Sequence, residues 1–129
     1  KCAIIGGKGY IGKHLVFYLQ QRGIISMVYD VQDCDDPNYK RIDKSESVAE
    51  IDLNIDYIFL FAGLTGTYAG FDKYQSYNAI NEIGLLNLLD AIRKSEYRPK
   101  IIFPSTRLVY KGVNKPLKEI DEKETKTIY

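Results

Sequence analysis

Short apolar runs alternate along the chain with longer segments of helical period. The apolar runs cover residues 1–5, 24–29, 56–63 and 100–104, and residues 39–42 form a further short candidate strand. Runs of this length, bounded by turn residues, are typical of strands that are buried on both faces of a parallel sheet. Apolar residues recur at helical spacing over 11–21 and 71–94. This alternation predicts an α/β protein with a Rossmann-type, doubly wound parallel sheet, strand order 3-2-1-4-5 and helices on both faces.

Each helical segment concentrates its apolar residues on one face, which we expect to lie against the sheet. In the first segment these residues are Ile11, Leu15, Val16, Tyr18 and Leu19. In the second they are Ile80, Ile83, Leu85, Leu86, Leu88, Leu89 and Ile92. A glycine inside a helix costs about 1 kcal/mol relative to alanine, so Gly84 predicts a close packing contact. Residues 65–70 contain two glycines and are expected to form a flexible loop.

A glycine-rich turn, residues 6–12, joins the first strand to the first helix and reads Gly-Gly-Lys-Gly-Tyr-Ile-Gly. We expect Gly6 to let the chain turn sharply, Gly9 to let a pyrophosphate approach the backbone, and Gly12 to let the helix pack close to the sheet. The helix N-terminus would offer N–H groups and its dipole to the phosphates. Asp30 ends the second strand, where it can accept hydrogen bonds from a ribose diol. The context predicts a dinucleotide site, with a glycine turn that binds nothing as the alternative.

Composition narrows the class of protein. The 129 residues carry 18 basic and 17 acidic side chains, well mixed, so charge gives no reason to expect nucleic acid or an anionic membrane as a partner. The sequence has no apolar run long enough to cross a bilayer and no signal-peptide pattern. Cys2 and Cys34 match no metal or redox spacing, and the acidic loop 31–38 is interpreted as a solvated turn. We therefore expect a cytoplasmic protein without a metal site.

The glycine turn resembles that of the extended short-chain dehydrogenase/reductase family, which includes the NAD-dependent sugar-nucleotide epimerases and dehydratases. Residues 61–65 (Phe-Ala-Gly-Leu-Thr) resemble the strand-four motif of UDP-glucose 4-epimerases. Residues 81–91 closely resemble the family's helix-four string, and residues 105–110 resemble its Ser-Ser/Thr-x-x-Val-Tyr motif. The resemblance spans essentially the whole chain and implies NAD as the cofactor and a nucleotide sugar as the substrate.

The resemblance also implies which residues contact the cofactor, beyond the glycines and Asp30. These are Tyr10, Ile11, Asp43, Phe61, Ala62, Gly63 and Asn81. Asp43 would hold the adenine amino group, or else cap a helix over 45–51, or do both. Lys44 stands where the family usually has an apolar residue. Asn81 would help to order the active site, with an exposed helix-surface amide as the alternative.

Two residues occupy the positions of the family's catalytic groups. Thr106 matches the catalytic serine or threonine, with a turn-capping hydroxyl as the alternative. Tyr129 matches the catalytic tyrosine, which in the family is followed by lysine at the fourth position. Sugar 4,6-dehydratases carry Asp-Glu where this chain has Arg107 and Leu108, and neither of these side chains can readily act as a general acid. The resemblance therefore implies an epimerase that works through a transient keto intermediate and reversible hydride transfer.

Other functions stay open at this point. Within the family they are a nucleotide-sugar 4,6-dehydratase and a keto-sugar reductase, and outside it a non-catalytic dinucleotide-binding module. The chain has no initial methionine and stops at Tyr129, so we expect residues 1–129 to be the NAD-binding domain of a longer protein whose substrate-binding part is missing. We expect this part to be inactive by itself and the full-length protein to form a homodimer through its long helices.

Overall fold

A computed structural model describes residues 1–66 and 69–124, and these form a five-stranded sheet. Its strands are β1 (Cys2–Ile5), β2 (Ser26–Asp30), β3 (Tyr39–Arg41), β4 (Tyr57–Leu60) and β5 (Lys100–Ile102). The spatial order is β3-β2-β1-β4-β5, and every neighbouring pair is parallel. The predicted fold class and strand order are confirmed, and each strand is somewhat shorter than the apolar run that predicted it.

Helical segments cover both faces of the sheet. They are α1 (Tyr10–Gln20), α2 (Ala69–Asp72), α3 (Tyr74–Tyr77), a π-helix (Asn78–Ile83), α4 (Gly84–Lys94) and a 3₁₀-helix (Arg107–Val109). Ile4 of β1 shares a hydrophobic cluster with Leu19 of α1, whereas its neighbour Ile5 shares another with Leu88 of α4. Successive residues of a strand point to opposite faces, so α1 and α4 lie on opposite sides of the sheet.

The second helical segment differs from the single long helix that was predicted. It begins at Ala69, inside the predicted loop 65–70, and it passes through short helices and a π-turn before α4 starts. Its apolar residues occupy two stripes rather than one face, because Leu88 is fully buried while Leu86 and Leu89 are exposed. Positions three and four residues apart share a helix face, so Leu86 and Leu89 form a stripe of their own.

The apolar face predicted for α1 is also only partly buried. Leu19 is buried, and Leu15 and Val16 pack against the same cluster. Ile11 and Tyr18 are more than half exposed, so their expected contact with the sheet is wrong. Ile11 lies in the first turn of α1, beyond the carboxyl end of β1. Within the described residues, no helix has the length and apolar character needed to cross a membrane.

Candidate functional site

Close backbone contacts hold the glycine turn between β1 and α1. Gly6 has a φ of +90°, and its N–H donates to the carbonyl of Tyr29 at 2.7 Å. A Cβ on Gly6 would lie 2.7 Å from the Cα of Ala62, which is too close for any side chain. A Cβ on Gly12 would lie 2.6 Å from the Cα of Gly7. Gly12 therefore lets α1 pack closely against the glycine turn. The sequence had suggested a close approach to the sheet instead.

The N-terminus of α1 is open to a ligand. Gly9 is its N-cap, and among the described residues no side chain caps the first turn. Tyr10 is 83% exposed and Ile11 is 56% exposed. A Cβ on Gly9 would meet only the carbonyl oxygen of Gly6, at 3.3 Å, so the backbone at Gly9 can be approached from outside. The uncapped N–H groups and the positive end of the helix dipole suit a phosphate.

Backbone donors fix the carboxylate of Asp30 at the end of β2. Its Oδ2 accepts from the N–H of Lys8 at 2.9 Å, and its Oδ1 accepts from those of Val31 at 2.8 Å and Gln32 at 3.3 Å. Only 9% of Asp30 is exposed. A carboxylate oxygen can accept more than one hydrogen bond, so Asp30 keeps acceptor capacity for a ribose hydroxyl.

A cavity of about 300 Å³ lies at the carboxyl ends of β1, β2 and β4. The predicted cofactor residues that line it are Gly6, Gly9, Asp30, Asp43, Phe61, Ala62 and Gly63. In a doubly wound sheet this is the switch point where the chain reverses its direction of winding, and ligands bind there. The cavity is also lined by Val31, Lys44 and Ile80, which sequence reasoning missed. Val31 directly follows Asp30 and Lys44 directly follows Asp43, so their positions could have been inferred, whereas Ile80 was predicted only as part of an apolar helix face.

Asp43 caps a turn beside this cavity. Its Oδ1 accepts from the N–H of Ser45 at 2.9 Å and from the Ser45 hydroxyl at 2.6 Å. The carbonyl of Asp43 accepts from the N–H groups of Glu46 and Ser47. Residues 45–51 form turns rather than the helix that was one alternative for Asp43.

Asn81 joins the π-helix to the segment after β4. Its Oδ1 accepts from the N–H of Leu64 at 2.8 Å, and its Nδ2 donates to the carbonyl of Leu64 at 2.9 Å. A Cβ on Gly63 would lie 3.2 Å from the Asn81 Oδ1, so Gly63 gives the amide room. Asn81 is thus partly buried and bonded to the main chain, which rules out an exposed surface amide.

A second, larger cavity of about 530 Å³ lies between the exit of β4, the start of α4 and the segment after β5. Asn81, Ser105 and Thr106 contribute polar groups to its largely apolar lining. The Oγ1 of Thr106 accepts from the N–H of Leu108 at 3.2 Å and so caps the 3₁₀-helix. This bond leaves the hydroxyl hydrogen of Thr106 free to be donated, so capping and catalysis are compatible at one residue. Tyr129, the other predicted catalytic residue, lies outside the described residues.

Lys44 lines the first cavity, whereas Lys8 belongs to the glycine turn. Lys44 is only 4% exposed. Burial lowers the pKa of its ammonium, and the negative charge of Asp43 offsets part of that shift. Lys8 instead directs its Nζ to the Sγ of Cys34 at 2.7 Å, a bond that raises the pKa of the lysine. Within residues 1–66 and 69–124, no three histidine, cysteine or acidic side chains are placed to hold a metal ion.

Sequence comparison identifies the proteins that this chain is similar to. The sequence model of the NAD dependent epimerase/dehydratase family matches residues 2–129. The chain is 28% identical over 129 residues to the bifunctional protein GAL10 of Kluyveromyces lactis, covering 84% of this chain and 18% of that protein. It is 24% identical over 119 residues to human sterol-4-alpha-carboxylate 3-dehydrogenase, decarboxylating, covering 88% of this chain and 31% of that protein. The chain spans less than a third of the length of the curated relatives it matches.

Comparison of structures supports the fold. A UDP-glucose-4-epimerase from Stenotrophomonas maltophila, with bound NAD and formylated UDP-arabinopyranose, superposes with a TM-score of 0.84. The identity is 22%, and the match covers all of this chain and 44% of that one.

Proposed function

Because the chain belongs to the NAD-dependent epimerase/dehydratase family, we propose that it is the cofactor-binding part of an enzyme that epimerises a nucleotide sugar. NAD, the cofactor of the family, agrees with the cofactor that the resemblance implied and with the dinucleotide site that the glycine turn and Asp30 predicted. The observation that carries the proposal is the cavity of about 300 Å³, where the turn, Asp30 and the exit of β4 meet. The uncapped start of α1 and the missing Cβ of Gly9 provide a place for the pyrophosphate.

The second cavity is suited to the reacting end of the site. Residues 61–64 line both cavities, so a dinucleotide held at Asp30 would extend past these residues toward Thr106. When bound, NAD supplies the acceptor for the hydride and the donor that returns it. The residues of the chain then have to bind the sugar, orient its hydroxyl and move the proton that leaves with the hydride.

Thr106 and Tyr129 are proposed to handle that proton. The Thr106 hydroxyl, fixed by the N–H of Leu108, would donate a hydrogen bond to the reacting sugar oxygen and orient it. Tyr129 would accept the proton as a tyrosinate, which requires that its pKa be lowered from about 10. Arg107 and Leu108 offer no carboxylate for the elimination of water, which favours epimerase over dehydratase.

A second candidate is a net dehydrogenase, in which the hydride stays on the cofactor. The match to a sterol-4-alpha-carboxylate dehydrogenase supports it, because that relative is similar over 88% of this chain. A keto-sugar reductase would run the same step in reverse.

One experiment separates these functions. The complete protein is incubated with NAD and UDP-glucose while nicotinamide absorbance and the sugar product are followed together. UDP-galactose formed without net NADH supports the epimerase, and NADH accumulating in proportion to an oxidised sugar supports the dehydrogenase. If calorimetry shows no binding of NAD to the complete protein, both enzyme proposals fail.

A further inference from the structure

Lys44 is a buried lysine in the wall of the first cavity. It is 4% exposed and lines the cavity together with Asp43 and Ile80. Its Nζ donates a hydrogen bond to the main-chain carbonyl of Ile80, in the π-helix. Burying an ammonium costs free energy unless hydrogen bonds or opposite charges compensate. The burial of Lys44 therefore has to be explained by its partners, whereas an apolar residue at this position would need none.

The π-turn leaves the carbonyl of Ile80 without the main-chain donor that an α-helix would give it, and this is the carbonyl that Lys44 bonds. The N–H of Gly84 donates to the carbonyl of Ala79, five residues earlier. In an α-helix that N–H would donate to Ile80, four residues earlier. The Nζ of Lys44 offers Ile80 a donor in its place. The side chain of Lys44 therefore stabilises the irregular turn.

Lys44 makes two further contacts, both with α4, which follows the π-helix directly. A Cβ on Gly84 would lie 2.8 Å from both the Cγ and the Nζ of Lys44, so the glycine makes room for the lysine. This is the close contact that a glycine in the helix predicted. The carbonyl of Lys44 accepts from the Nδ2 of Asn87 at 3.0 Å. Lys44 thus holds the helix on both sides of the junction between the π-helix and α4.

The turn that Lys44 holds also carries Asn81. Asn81 follows Ile80 directly, and its amide bonds both backbone polar atoms of Leu64. Lys44 and Leu64 line the first cavity, while Asn81 and Leu64 line the second. A continuous path of contacts therefore runs from Lys44 through the π-turn to the boundary between the cavities.

We propose that Lys44 is a positioning residue: its bond to Ile80 fixes the π-turn and so holds Asn81 against Leu64, where the two cavities meet. The consequence for NAD rests on the proposed function, whereas the consequence for the Asn81–Leu64 bonds does not. The experiment therefore has one readout without cofactor and one with it.

The readout without cofactor is hydrogen exchange at the amide of Leu64 in the complete protein. Lys44→Met keeps most of the apolar side chain but removes the donor to Ile80. We expect exchange at Leu64 to accelerate roughly tenfold, which corresponds to the loss of one hydrogen bond to a charged group. The amide of Gly6, which donates to Tyr29, should not change. Lys100→Met removes an exposed lysine at the start of β5 and is the matched control.

Unchanged protection of Leu64 in a folded Lys44→Met protein overturns the proposal. So does equal loss of protection at Leu64 and Gly6, since general destabilisation would then account for the result. Gly84→Ala is a second route to the same site if Lys44→Met does not fold, because the added Cβ displaces the lysine. It should also accelerate exchange at Leu64, and unchanged exchange would again contradict the proposal.

The readout with cofactor is a double-mutant cycle of NAD affinity. Lys44→Met and Asn81→Ala should each weaken binding, and the double variant should be little weaker than Asn81→Ala alone, since both act through one contact. Fully additive losses would overturn the proposal. If the unchanged protein binds no NAD, the proposed function fails, while the exchange of Leu64 still decides the role of Lys44.

Discussion

The main-chain N–H of Lys8 donates to the Oδ2 of Asp30 at 2.9 Å and thereby ties the glycine turn to the end of β2. The donor lies between Gly7 and Gly9, in the part of the turn where a phosphate would approach. The acceptor belongs to the carboxylate predicted to bind a ribose. This hydrogen bond therefore links the two halves of the proposed adenosine-diphosphate site, and Asp30 has a structural role besides the binding role proposed for it.

Asp30→Asn should weaken the preference for NAD over NADP by roughly tenfold, because the 2′-phosphate would no longer face a negative charge. Affinity for NAD itself should also fall, since an amide cannot accept from Lys8, Val31 and Gln32 as a carboxylate does. The measurement is calorimetric titration of the complete protein with both dinucleotides. Asp33→Asn, at an exposed acid of the same loop, is the control and should leave the preference unchanged. Equal affinity of the unchanged protein for NAD and NADP would contradict the role of Asp30.

Gly9→Val should weaken NAD binding by about 3 kcal/mol, roughly a hundredfold, while the fold is kept. Gly9 has a φ of −68° and an exposed position, so valine is accommodated once the Gly6 carbonyl, 3.3 Å from the added Cβ, shifts slightly, and its side chain then occupies the approach of the pyrophosphate. Gly6→Ala should instead destabilise the protein by about 2 kcal/mol or more, because its φ of +90° and its contact with Ala62 exclude a Cβ. Circular dichroism and urea unfolding separate the two effects. Native-like folding with unchanged NAD affinity in Gly9→Val would refute this site.

The fold and the first half of the site could be predicted because their signals are local. The apolar run of β1, the glycines and Asp30 all fall within the first thirty residues, in an order that the sequence displays directly, even though contacts such as Lys8–Asp30 and Gly6–Ala62 reach further along the chain. The period of the apolar residues likewise placed α1 to within one residue at each end.

What the sequence did not show depends on residues far apart in the chain. The burial of Lys44 requires the carbonyl of Ile80, thirty-six positions on, and that carbonyl is available only because the helix contains a π-turn. Helical periodicity does not distinguish a π-turn from an α-helix over a few residues. The amide of Asn81 could be assigned to the site by resemblance, but its partner Leu64 is set by the packing of β4 against the helix.

Thr106→Val should lower kcat of the complete enzyme by about 10²-fold, whereas Thr106→Ser should retain most of the activity. Valine keeps the shape of threonine but cannot orient a sugar oxygen or accept from the N–H of Leu108. Serine keeps both functions. Because Thr106→Val removes the cap of the 3₁₀-helix, urea unfolding should accompany the kinetics. An equal kcat in all three proteins would restrict Thr106 to its capping role.

The buried ammonium of Lys44 should make the free energy of unfolding depend on pH in the alkaline range. Burial lowers the pKa of Lys44 below its ordinary 10.5, so between the lowered value and 10.5 the unfolded chain binds the proton and the folded chain does not. Stability contributed by Lys44 therefore rises with pH across that window and is lost as pH falls through the lowered pKa.

We therefore expect the unchanged protein to gain stability relative to Lys44→Met as the pH rises from 7 to 10.5. The quantity compared is the free energy of unfolding of the two proteins. Urea unfolding at a series of pH values measures it. Tyr29 acts in the opposite direction, because burial raises its pKa and its contribution to stability is lost at high pH. Both proteins contain Tyr29, so its effect cancels in the difference. Lys100→Met, which removes an exposed lysine, should show no such trend, and a difference for Lys44→Met that stays flat with pH would show that Lys44 is not buried as an ammonium.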